Sequence, residues 1–551
     1  MSALLCAAMC IWPQPLDPLH SLPASALVAT IPLLVVLLLM GVLHKSSLLA
    51  STCGLLTAFL LAALVWRMPL GLASWSLLYG FAFAAWSILW LVFNALWLYN
   101  LTIDVGLFEL LRRWIQYRAS GDPCVQATLV AFCFGALLEG NAGFGAPVAI
   151  TACLLVALGF KARMAVLASL LANTVPVAFG AVGIPIVALA GVTGLDVMKL
   201  SIAIGRQLPL VSVVLPAYLI LLVGGFAGLR RSWPVALVAG CSFAATQFAV
   251  SNFWGPYATD VASSLISIVA TVVLLRVWSP KTLETASPAT VPVASDGKLT
   301  APAPMEMTLR EVLAGWLPWA LLSVVIVLWS NFHLPTIGQL LVPIPTLHNG
   351  VLITLYHKPY SAIFGFQPLT SGTAVLVTTL LTALLFRVSP RSTLLSGWRT
   401  LRQLRVPGLA VLFIVGLAYL YNYSGMAYTL GAALALVGPT FPFVSSFLGW
   451  VACFLSGSDT SSNVLFGNLQ VAAAHQLQLN PVLMAATNSS GAVMGKMISP
   501  QNIAVGVTTV GLVGEEGKVL HSSFWHSVLL AALIGLLACF QAYVVPGMIP
   551  K

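Results

Sequence analysis

Long apolar segments follow one another along almost the whole chain, and they limit its fold more than any other feature. The sixteen segments have these approximate bounds: 26–44, 48–66, 72–99, 124–138, 146–160, 164–193, 207–227, 234–253, 258–275, 312–331, 371–387, 406–421, 443–456, 464–478, 481–513 and 525–546. A helix needs about 20 residues to cross a bilayer. Hydrophobic residues make up 60% of the 551 residues and charged residues 7%, against about 25% in a soluble domain. The sequence predicts an all-α integral membrane protein and excludes a soluble enzyme, a disordered chain and a nucleic-acid-binding protein.

Four of the segments are too short to cross the membrane. They form two adjacent pairs, 124–138 with 146–160 and 443–456 with 464–478, and small and polar residues join the members of each pair. This pattern is typical of re-entrant hairpins and broken helices. With two hairpins, we expect about 12–14 membrane-spanning segments in the chain.

Basic residues fall mostly on one face of the membrane when each pair is treated as a hairpin that returns to its own side. That face carries 18 of the 24 basic residues: Lys45, Arg112, Arg113, Arg118, Lys161, Arg163, Arg230, Arg231, Arg276, Lys281, Lys298, Arg310, Arg387, Arg391, Arg399, Arg402, Arg405 and Lys518. The opposite face carries Arg67, Lys199, Arg206, Lys358 and Lys551. Because cytoplasmic loops are enriched in basic residues, the first face is predicted to be cytoplasmic and the N-terminus to lie outside. No basic residue precedes the first apolar run, so we interpret that run as a retained helix rather than a signal peptide.

The chain resembles itself at a spacing of about 315 residues. The corresponding stretches are 99–100 and 421–422 at the ends of long helices, 139–147 and 456–463 at polar hairpin tips, and 173–185 and 488–500 in helices with matching Asn, Gly and Pro positions. The predicted topology brings the two tips in from opposite faces, so the repeats are inverted. Inverted repeats with broken helices are an architecture of secondary transporters, with the substrate site near the midplane.

The predicted organisation has four parts. They are an extracytoplasmic segment 1–25, a first membrane half 26–278 with a repeat at about 70–195, a cytoplasmic Pro/Ser/Thr-rich loop 279–311, and a second membrane half 312–551 with a repeat at about 395–515.

Several strings at the tips and breaks resemble those of the lactate permease family, which are bacterial carriers. The strings are FCFGA (132–136), LEG (138–140), GFGAPVAI (143–150), NT (173–174), PVAFGA (176–181), GIP (183–185), GRQLP (205–209), GSDTSSN (457–463) and GKMISPQ (495–501). The resemblance extends from Ala26 to Pro550. It implies a multi-pass protein of the bacterial inner membrane that carries L-lactate, D-lactate or glycolate together with protons. Asn141 departs from the small residue common in the family, and the connection 332–370 is less similar, so the preferred substrate and the oligomeric state stay open.

Two acids and one base are the main candidates for the chemistry of transport. Glu139 and Asp459 lie at the two tips, where a carboxylate costs roughly 2.5–3.5 kcal/mol on insertion scales. Each is predicted to carry a proton or to tie its hairpin to a neighbour. Lys496 lies in the second predicted break, where it can pair with either acid or bind a substrate carboxylate. Arg206 is a second cation, for which we expect a snorkelling or gating role near the outer surface.

Hydroxyl, amide and glycine groups at the tips and breaks complete the predicted site. The polar side chains can bind the hydroxyl of a 2-hydroxy acid or cap broken helices, and the glycines allow unwound backbone to line a cavity. The polar candidates are Asn141, Asn173, Thr174, Thr460, Ser461, Ser462, Asn463, Asn488, Ser489, Ser490 and Gln501. The glycines are Gly140, Gly143, Gly145, Gly180, Gly491 and Gly495.

Other classes of function have less support in the sequence. The nine cysteines form no Cys-x-x-Cys pair, and we expect them to be small core residues; the eight histidines form no cluster at metal-ligand spacing. No cofactor, metal or nucleic-acid partner is predicted, and no G-x-x-x-x-G-K-[ST] motif occurs. An integral-membrane enzyme would need a nucleophile–base pair or a metal constellation, and neither is visible. A sodium-coupled carrier of another small organic anion remains the alternative, because the same oxygens can coordinate Na⁺.

Overall fold

The computed structural model describes residues 11–39, 43, 45–118, 121–141, 146–278, 307–332, 334–512 and 515–550. Ten helical stretches within these residues are long and apolar enough to cross a membrane by length and composition, and four shorter apolar helices accompany them. The all-α integral membrane class is therefore confirmed. Most of the predicted loop 279–311, and also Gly143, Gly145, Cys6 and Cys10, lie outside the described residues.

Helices make up nearly all of the first half. The α-helices are Leu22–Leu37, Ser47–Leu64, Leu70–Phe83, Trp90–Asp104, Leu107–Arg118, Pro123–Gln126, Gly135–Asn141, Ala146–Ala157, Ala162–Ala172, Gly180–Thr193, Val197–Ile204, Leu208–Phe253 and Thr259–Val277. π-helical stretches at Ala84–Leu89 and Ala127–Phe134 and a 3₁₀ turn at Pro176–Phe179 connect some of them.

The second half has the same character. Its α-helices are Leu309–Asn331, Ser371–Leu385, Pro390–Ser424, Met426–Leu434, Phe441–Ser456, Asp459–Gln476, Pro481–Lys496, Pro500–Thr509 and Glu516–Tyr543, with 3₁₀ turns at Leu334–Thr336, Ala435–Thr440 and Pro546–Met548. Polar caps set several of the starts: Asn480 and Ser499 each accept hydrogen bonds from backbone N–H groups of the helix that follows. Both of those helices have Pro in the first turn, where no N–H partner is needed.

The connection between 332 and 370 forms small β-sheets, which the sequence analysis did not predict. Strand Leu340–Pro343 pairs antiparallel with Ile363–Phe366. Strand Val351–Ile353 pairs antiparallel with Lys358–Pro359 and parallel with the N-terminal strand Trp12–Pro13. The pairing places the N-terminal segment and this connection on the same face of the protein, as the predicted topology requires.

Helix Leu208–Phe253 consists of two antiparallel arms. Its backbone leaves the helical conformation at Gly225 and Ser232. The Ser212 hydroxyl donates to Gln247 Oε1 at 2.6 Å across the two arms. The separate predicted segments 207–227 and 234–253 are thus confirmed.

The segments at the tips and breaks lie at the centre of the molecule. In 18-residue windows of Pro123–Asn141 and Pro176–Thr193, 94% and 83% of the residues are buried, whereas only 28% are buried in Ser47–Leu64. Apolar side chains on the outer helices remain exposed because a bilayer, not water, is expected to cover them. Protein therefore surrounds the central segments, and only there can irregular backbone be tolerated at membrane depth.

Both predicted hairpins are present, but the prediction that all four arms are too short to cross a membrane is wrong for one of them, because Pro123–Asn141 has 19 residues and is long enough. In the first hairpin, formed by Pro123–Asn141 and Ala146–Ala157, Gly135 lies against Thr151 of the opposite arm. In the second hairpin, formed by Phe441–Ser456 and Asp459–Gln476, the Ser462 hydroxyl donates to the Gly449 carbonyl at 3.1 Å. Gly457 makes the second turn with a φ of 70°.

The two broken helices are also present, but the breaks differ. The first broken helix runs through Ala162–Ala172, Pro176–Phe179 and Gly180–Thr193, and Ala181, Val182 and Gly183 have positive φ. The second broken helix consists of Pro481–Lys496 and Pro500–Thr509.

Gly140, Gly491 and Gly495 do not lie in unwound backbone, so this prediction is wrong for all three residues. Gly140 lies in the helix Gly135–Asn141. Gly491 and Gly495 belong to the intact helix Pro481–Lys496, where they pack against the first arm of the second hairpin. A Cβ at Gly491 would lie 2.1 Å from the Ser446 carbonyl oxygen, and one at Gly495 would lie 2.3 Å from that of Trp450. Small residues at these positions allow two helix backbones to approach closely.

Three ion pairs join segments that the charge pattern assigned to one face. Arg163 binds Glu515 at 2.6 Å, Arg231 binds Asp122 at 2.6 Å, and Arg399 binds Asp104 at 3.2 Å. Each pair links residues far apart in sequence, and the basic member of each belongs to the face predicted to be cytoplasmic.

The expectation that all cysteines are core residues is wrong for two of them. Cys124, Cys133 and Cys453 are buried, but Cys153 and Cys241 are exposed. Both exposed thiols lie on apolar helices whose outer surface needs no protein cover in a bilayer, so hydropathy does not distinguish a core position from one facing lipid.

Candidate functional site

A buried ion pair joins the tip of the first hairpin to the second break. Lys496 Nζ lies 2.7 Å from Glu139 Oε1, and the side chains are only 7% and 4% exposed. Glu139 lies near the end of Gly135–Asn141, and Lys496 is the last residue of Pro481–Lys496. Taking two charges out of water costs several kcal/mol per ion before their attraction offsets it. An ion pair at this depth therefore points to a function.

Two residues of the first broken helix also contact the carboxylate of Glu139. Asn173, the residue that ends Ala162–Ala172, donates its amide to Glu139 Oε2 at 2.9 Å. A Cβ at Gly180 would lie 2.9 Å from Glu139 Oε1, so glycine is needed for the backbone to pass this close. Both oxygens of Glu139 thus have a partner, one from each half of the chain.

A second polar cluster surrounds Asp459 at the start of the second hairpin's second arm. Ser489 donates its hydroxyl to Asp459 Oδ2 at 2.9 Å, and Asn463 donates to Ser489 Oγ at 3.1 Å. Asn488 donates to Asn463 Oδ1 at 2.9 Å, and Gln470 donates to Asn488 Oδ1 at 2.5 Å. Asp459 Oδ1 has no hydrogen-bond partner among the described residues. Among the buried side-chain atoms of these five residues, this carboxylate oxygen is therefore the one without a partner.

Asn463 also connects the two halves of the site. Its amide donates to the Pro185 carbonyl of the first broken helix at 3.2 Å. The second hairpin thus touches the first break, just as the first hairpin touches the second break through Glu139 and Lys496. Each hairpin tip is held by the broken helix of the opposite half.

Several predicted polar residues have structural partners instead. Asn141 and Thr174 are buried and donate to carbonyls of their own helices, those of Leu137 and Leu170. The Ser461 N–H bonds to the Ser458 hydroxyl, which caps the helix start. These contacts are local and structural, but none of the three side chains caps a helix start: Asn141 and Thr174 donate to carbonyls, and the cap is the hydroxyl of Ser458.

Four other predicted residues make no hydrogen bond with the cluster around Asp459 in the described part of the chain. Ser490 is buried, but its hydroxyl has no hydrogen-bond partner among the described residues. Thr460 is half-buried, whereas Gln501 is exposed beside the Gly457 turn. Arg206 donates to Asn252 Oδ1 at 2.9 Å and to the Met548 carbonyl, so it ties the C-terminal end to the outer helices.

Asp260 is a further buried acid that the sequence analysis missed. It is the second residue of Thr259–Val277 and is 1% exposed. A Cβ at Gly140, the neighbour of Glu139 in the chain, would lie 2.8 Å from Asp260 Cβ. Asp260 follows a turn at the start of an apolar segment, so its position in the sequence resembles an ordinary helix start. A count of all acids within apolar segments would have identified it.

The site is closed in this conformation. The space beside Lys496 is a crevice of about 150 Å³ that is too narrow for a water molecule. Its lining includes Asn173, Thr174, Lys496 and Asn502. A larger cleft, about 1010 Å³ by the same measure, lies between Leu101–Leu107 and Phe386–Arg399 and is lined by none of the predicted site residues. A substrate therefore needs a movement of the tips or breaks to reach Lys496.

No group of three or more His, Cys, Asp or Glu side chains capable of holding a metal occurs in the part of the chain that the structure describes. The donors around the ion pair are one ammonium group, amides and hydroxyls. Such a set suits a small organic anion with a carboxylate and one hydroxyl.

Comparison with known proteins identifies similar sequences over the full length. The family described as L-lactate permease matches residues 25–545. Glycolate permease GlcA of Escherichia coli K12 is 40% identical over an alignment of 562 positions, which includes 98% of this chain and 100% of the relative. The L-lactate permeases of Escherichia coli K12 and Bacillus subtilis 168 are 37% and 39% identical, each over 98% of this chain and 100% of the relative.

Proposed function

Since the chain belongs to the L-lactate permease family, a family of transporters rather than enzymes, we propose that it takes up lactate, glycolate or both together with protons. The observation that supports this proposal most is the buried pair of Lys496 and Glu139 at 2.7 Å. A monocarboxylate needs a cation in the membrane interior, and Lys496 is the cation at the meeting point of a hairpin tip and a break.

Competition for Lys496 explains how an anion and a proton are coupled. When the substrate carboxylate binds Lys496, it displaces Glu139, which then has no cation. A carboxylate left unpaired in an apolar interior binds a proton rather than remain charged. One anion and one proton therefore enter together, and the net charge of the site is unchanged.

The polar cluster around Asp459 is suited to the substrate hydroxyl. Asp459 Oδ1 is buried without a partner among the described residues, so it can accept the hydroxyl hydrogen bond of a 2-hydroxy acid. A hydroxyl-free analogue would leave this oxygen unsatisfied, which costs about 1–3 kcal/mol. Discrimination against such analogues is expected at this cluster.

We further propose the membrane organisation that the charge pattern predicts. The protein lies in the bacterial inner membrane with residues 1–25 outside, and halves 26–278 and 312–551 contain oppositely oriented repeats. The pairing of Arg163 with Glu515 and of Arg231 with Asp122 is consistent with this topology. Under it, the first tip enters from the cytoplasm and the second from outside.

Uptake into vesicles tests the proposal. Purified protein is reconstituted in proteoliposomes, and uptake of labelled L-lactate, D-lactate and glycolate is measured with an acidic exterior and no sodium. We expect accumulation that disappears when a protonophore collapses the pH gradient. Uptake driven by a sodium gradient alone would show a sodium-coupled carrier instead, and no uptake of any of the three acids would refute the proposed substrates. Competition among the three acids in the same assay shows which of them the protein prefers as a substrate.

A further inference from the structure

Asp260 lies beside the ion pair of the proposed transport site but has no assigned role. Its Cβ would be 2.8 Å from a Cβ at Gly140, and the backbone N–H group of Val261 would be 3.2 Å from it. Glycine at 140 therefore allows the start of Thr259–Val277 to touch the tip of the first hairpin. The contact places Asp260 next to the residue that follows Glu139.

The carboxyl group of Asp260 is isolated from water and from hydrogen bonds. The residue is 1% exposed, and neither Oδ1 nor Oδ2 has a hydrogen-bond partner among the described residues. Asp122 is a useful contrast, because it is also buried but pairs with Arg231 at 2.6 Å. A carboxylate that is ionised, buried and unpaired costs far more than a neutral carboxylic acid in the same place.

The charges around Asp260 do not compensate a second negative group. The charged side chains that face it among the described residues are Glu139 from the first hairpin and Lys496 from the second broken helix. Lys496 already pairs with Glu139. Two other elements pack against the helix Thr259–Val277 that carries Asp260. The segment 176–193 has no titratable residue, and the helix Leu309–Asn331 has charged residues, Arg310 and Glu311, only in its first turn.

Two packed elements remain. In the stretch Ala127–Phe134 of the first hairpin the titratable group is the Cys133 thiol, which lies 3.3 Å from the Ser267 hydroxyl, about two helical turns from Asp260. The other element is the second arm of Leu208–Phe253. Ser267 donates to the Ala239 carbonyl at 2.9 Å, which fixes the register of this arm against Thr259–Val277. In that register Arg231 lies toward the far end of the helix from Asp260. One cation thus serves two carboxyl groups, and one of the two must hold a proton.

We propose that Asp260 is a second proton-binding site of this transporter and is protonated in the closed conformation; the proposal rests on the proposed proton symport. In the transport step the O–H bond of Asp260 breaks and its proton passes to Glu139, which has lost Lys496 to the substrate carboxylate. At the same time hydronium from the side with the lower pH donates a proton to Asp260 and leaves water. One proton from solution thus accompanies each anion, and the net charge of the site is the same before and after the step.

Two transport measurements on one variant test the proposal. Asp260→Asn keeps the size and the neutrality of the protonated side chain but cannot release a proton. We expect exchange of labelled for unlabelled lactate at equal pH to persist. Accumulation driven by a gradient of one pH unit, which is up to about tenfold for one proton per anion, is expected to vanish.

The controls distinguish the failure of this inference from the failure of the proposed function. Asp196→Asn is the matched control: Asp196 caps Val197–Ile204 at an exposed position, and asparagine caps equally well. Wild-type protein that transports neither acid would refute the proposed function. If wild-type protein is active, two results for the Asp260→Asn variant would overturn the role of Asp260. One is that the variant still accumulates substrate; the other is that the folded variant has lost exchange.

Infrared spectroscopy tests the protonation of Asp260 without a transport assay. The infrared spectrum of wild-type protein minus that of Asp260→Asn should contain the C=O stretching band of a protonated carboxyl group, which shifts in D₂O. Its absence would overturn the proposal. If Asp260→Asn does not fold, Asp260→Glu decides, because it keeps an ionisable group: a shifted pH dependence of accumulation supports the proposal, and a profile identical to that of wild type contradicts it.

Discussion

Lys496 and Glu139 are 357 positions apart in the chain, and their side chains meet at 2.7 Å in the centre of the molecule. Neither group is accessible from water in this conformation. The pair holds the first hairpin tip against the second break, so the same contact that stabilises the closed state occupies the cation that a substrate anion needs. Opening of the site and exchange of the partner of Lys496 are therefore coupled.

Replacing one member of the pair of Lys496 and Glu139 should lower the free energy of unfolding more than replacing both members. Lys496→Met leaves Glu139 buried without a cation, and we expect a loss of about 3–5 kcal/mol in the free energy of unfolding. Glu139→Gln combined with Lys496→Met should recover most of this loss in thermal unfolding in detergent. Both proteins should fail to bind lactate or glycolate, and binding equal to that of wild type would remove Lys496 from the substrate site.

Asp459→Asn should impair substrate accumulation driven by a pH gradient while leaving the fold intact. The substitution keeps the hydrogen bond with Ser489 available but removes the charge and places an amide N–H₂ group or a neutral oxygen at the unpartnered position. The measurement is the accumulation ratio in proteoliposomes. If the variant concentrates substrate as wild type does, Asp459 has only a structural role.

The close helix contact at Gly491 predicts a strong packing effect. Gly491→Ala places a Cβ 2.1 Å from the Ser446 carbonyl oxygen, and overpacking of this kind costs about 1–3 kcal/mol. Gly71→Ala is the matched control, since nothing lies within 4 Å of its Cβ in helix Leu70–Phe83. We expect a lower midpoint of thermal unfolding for the first variant and an equal or higher midpoint for the second. Equal behaviour of both would contradict the contact.

The pair between Arg163 and Glu515 should stabilise the protein only above acidic pH. The hydrogen bond from Arg163 and the nearby charge of Lys518 hold the pKa of Glu515 below its usual value. A depressed carboxyl pKa adds stability above the unfolded-state pKa of about 4.3, and this stability is lost as the pH falls through the folded-state pKa. Glu515→Gln should lower the unfolding midpoint slightly at about pH 7, because exposed pairs contribute little. As the pH falls through and below the folded-state pKa of Glu515, the difference between the two unfolding midpoints should shrink towards zero.

Much of the site could be predicted because membrane burial makes polar residues conspicuous. Glu139, Asp459 and Lys496 stand out in apolar surroundings, and the residues that break a helix, such as Pro185 and Pro500, have the same effect whatever the tertiary contacts. The two hairpins follow for the same reason: their arms are short and their turns contain small and polar residues. Asp260 was missed because a turn precedes it, and the sheets of 340–366 have too few residues to produce a pattern.

The sequence by itself determined that the chain is helical and lies in a membrane, where its hairpins and breaks occur, and that Glu139, Asp459 and Lys496 are buried, since hydropathy and helix-breaking residues act locally. Only the tertiary structure decided that Lys496 pairs with Glu139 rather than Asp459, and that Asp260 joins them. It also decided that Gly491 is a packing residue. These outcomes depend on which backbones approach one another, and contacts between segments hundreds of residues apart leave no trace in local patterns.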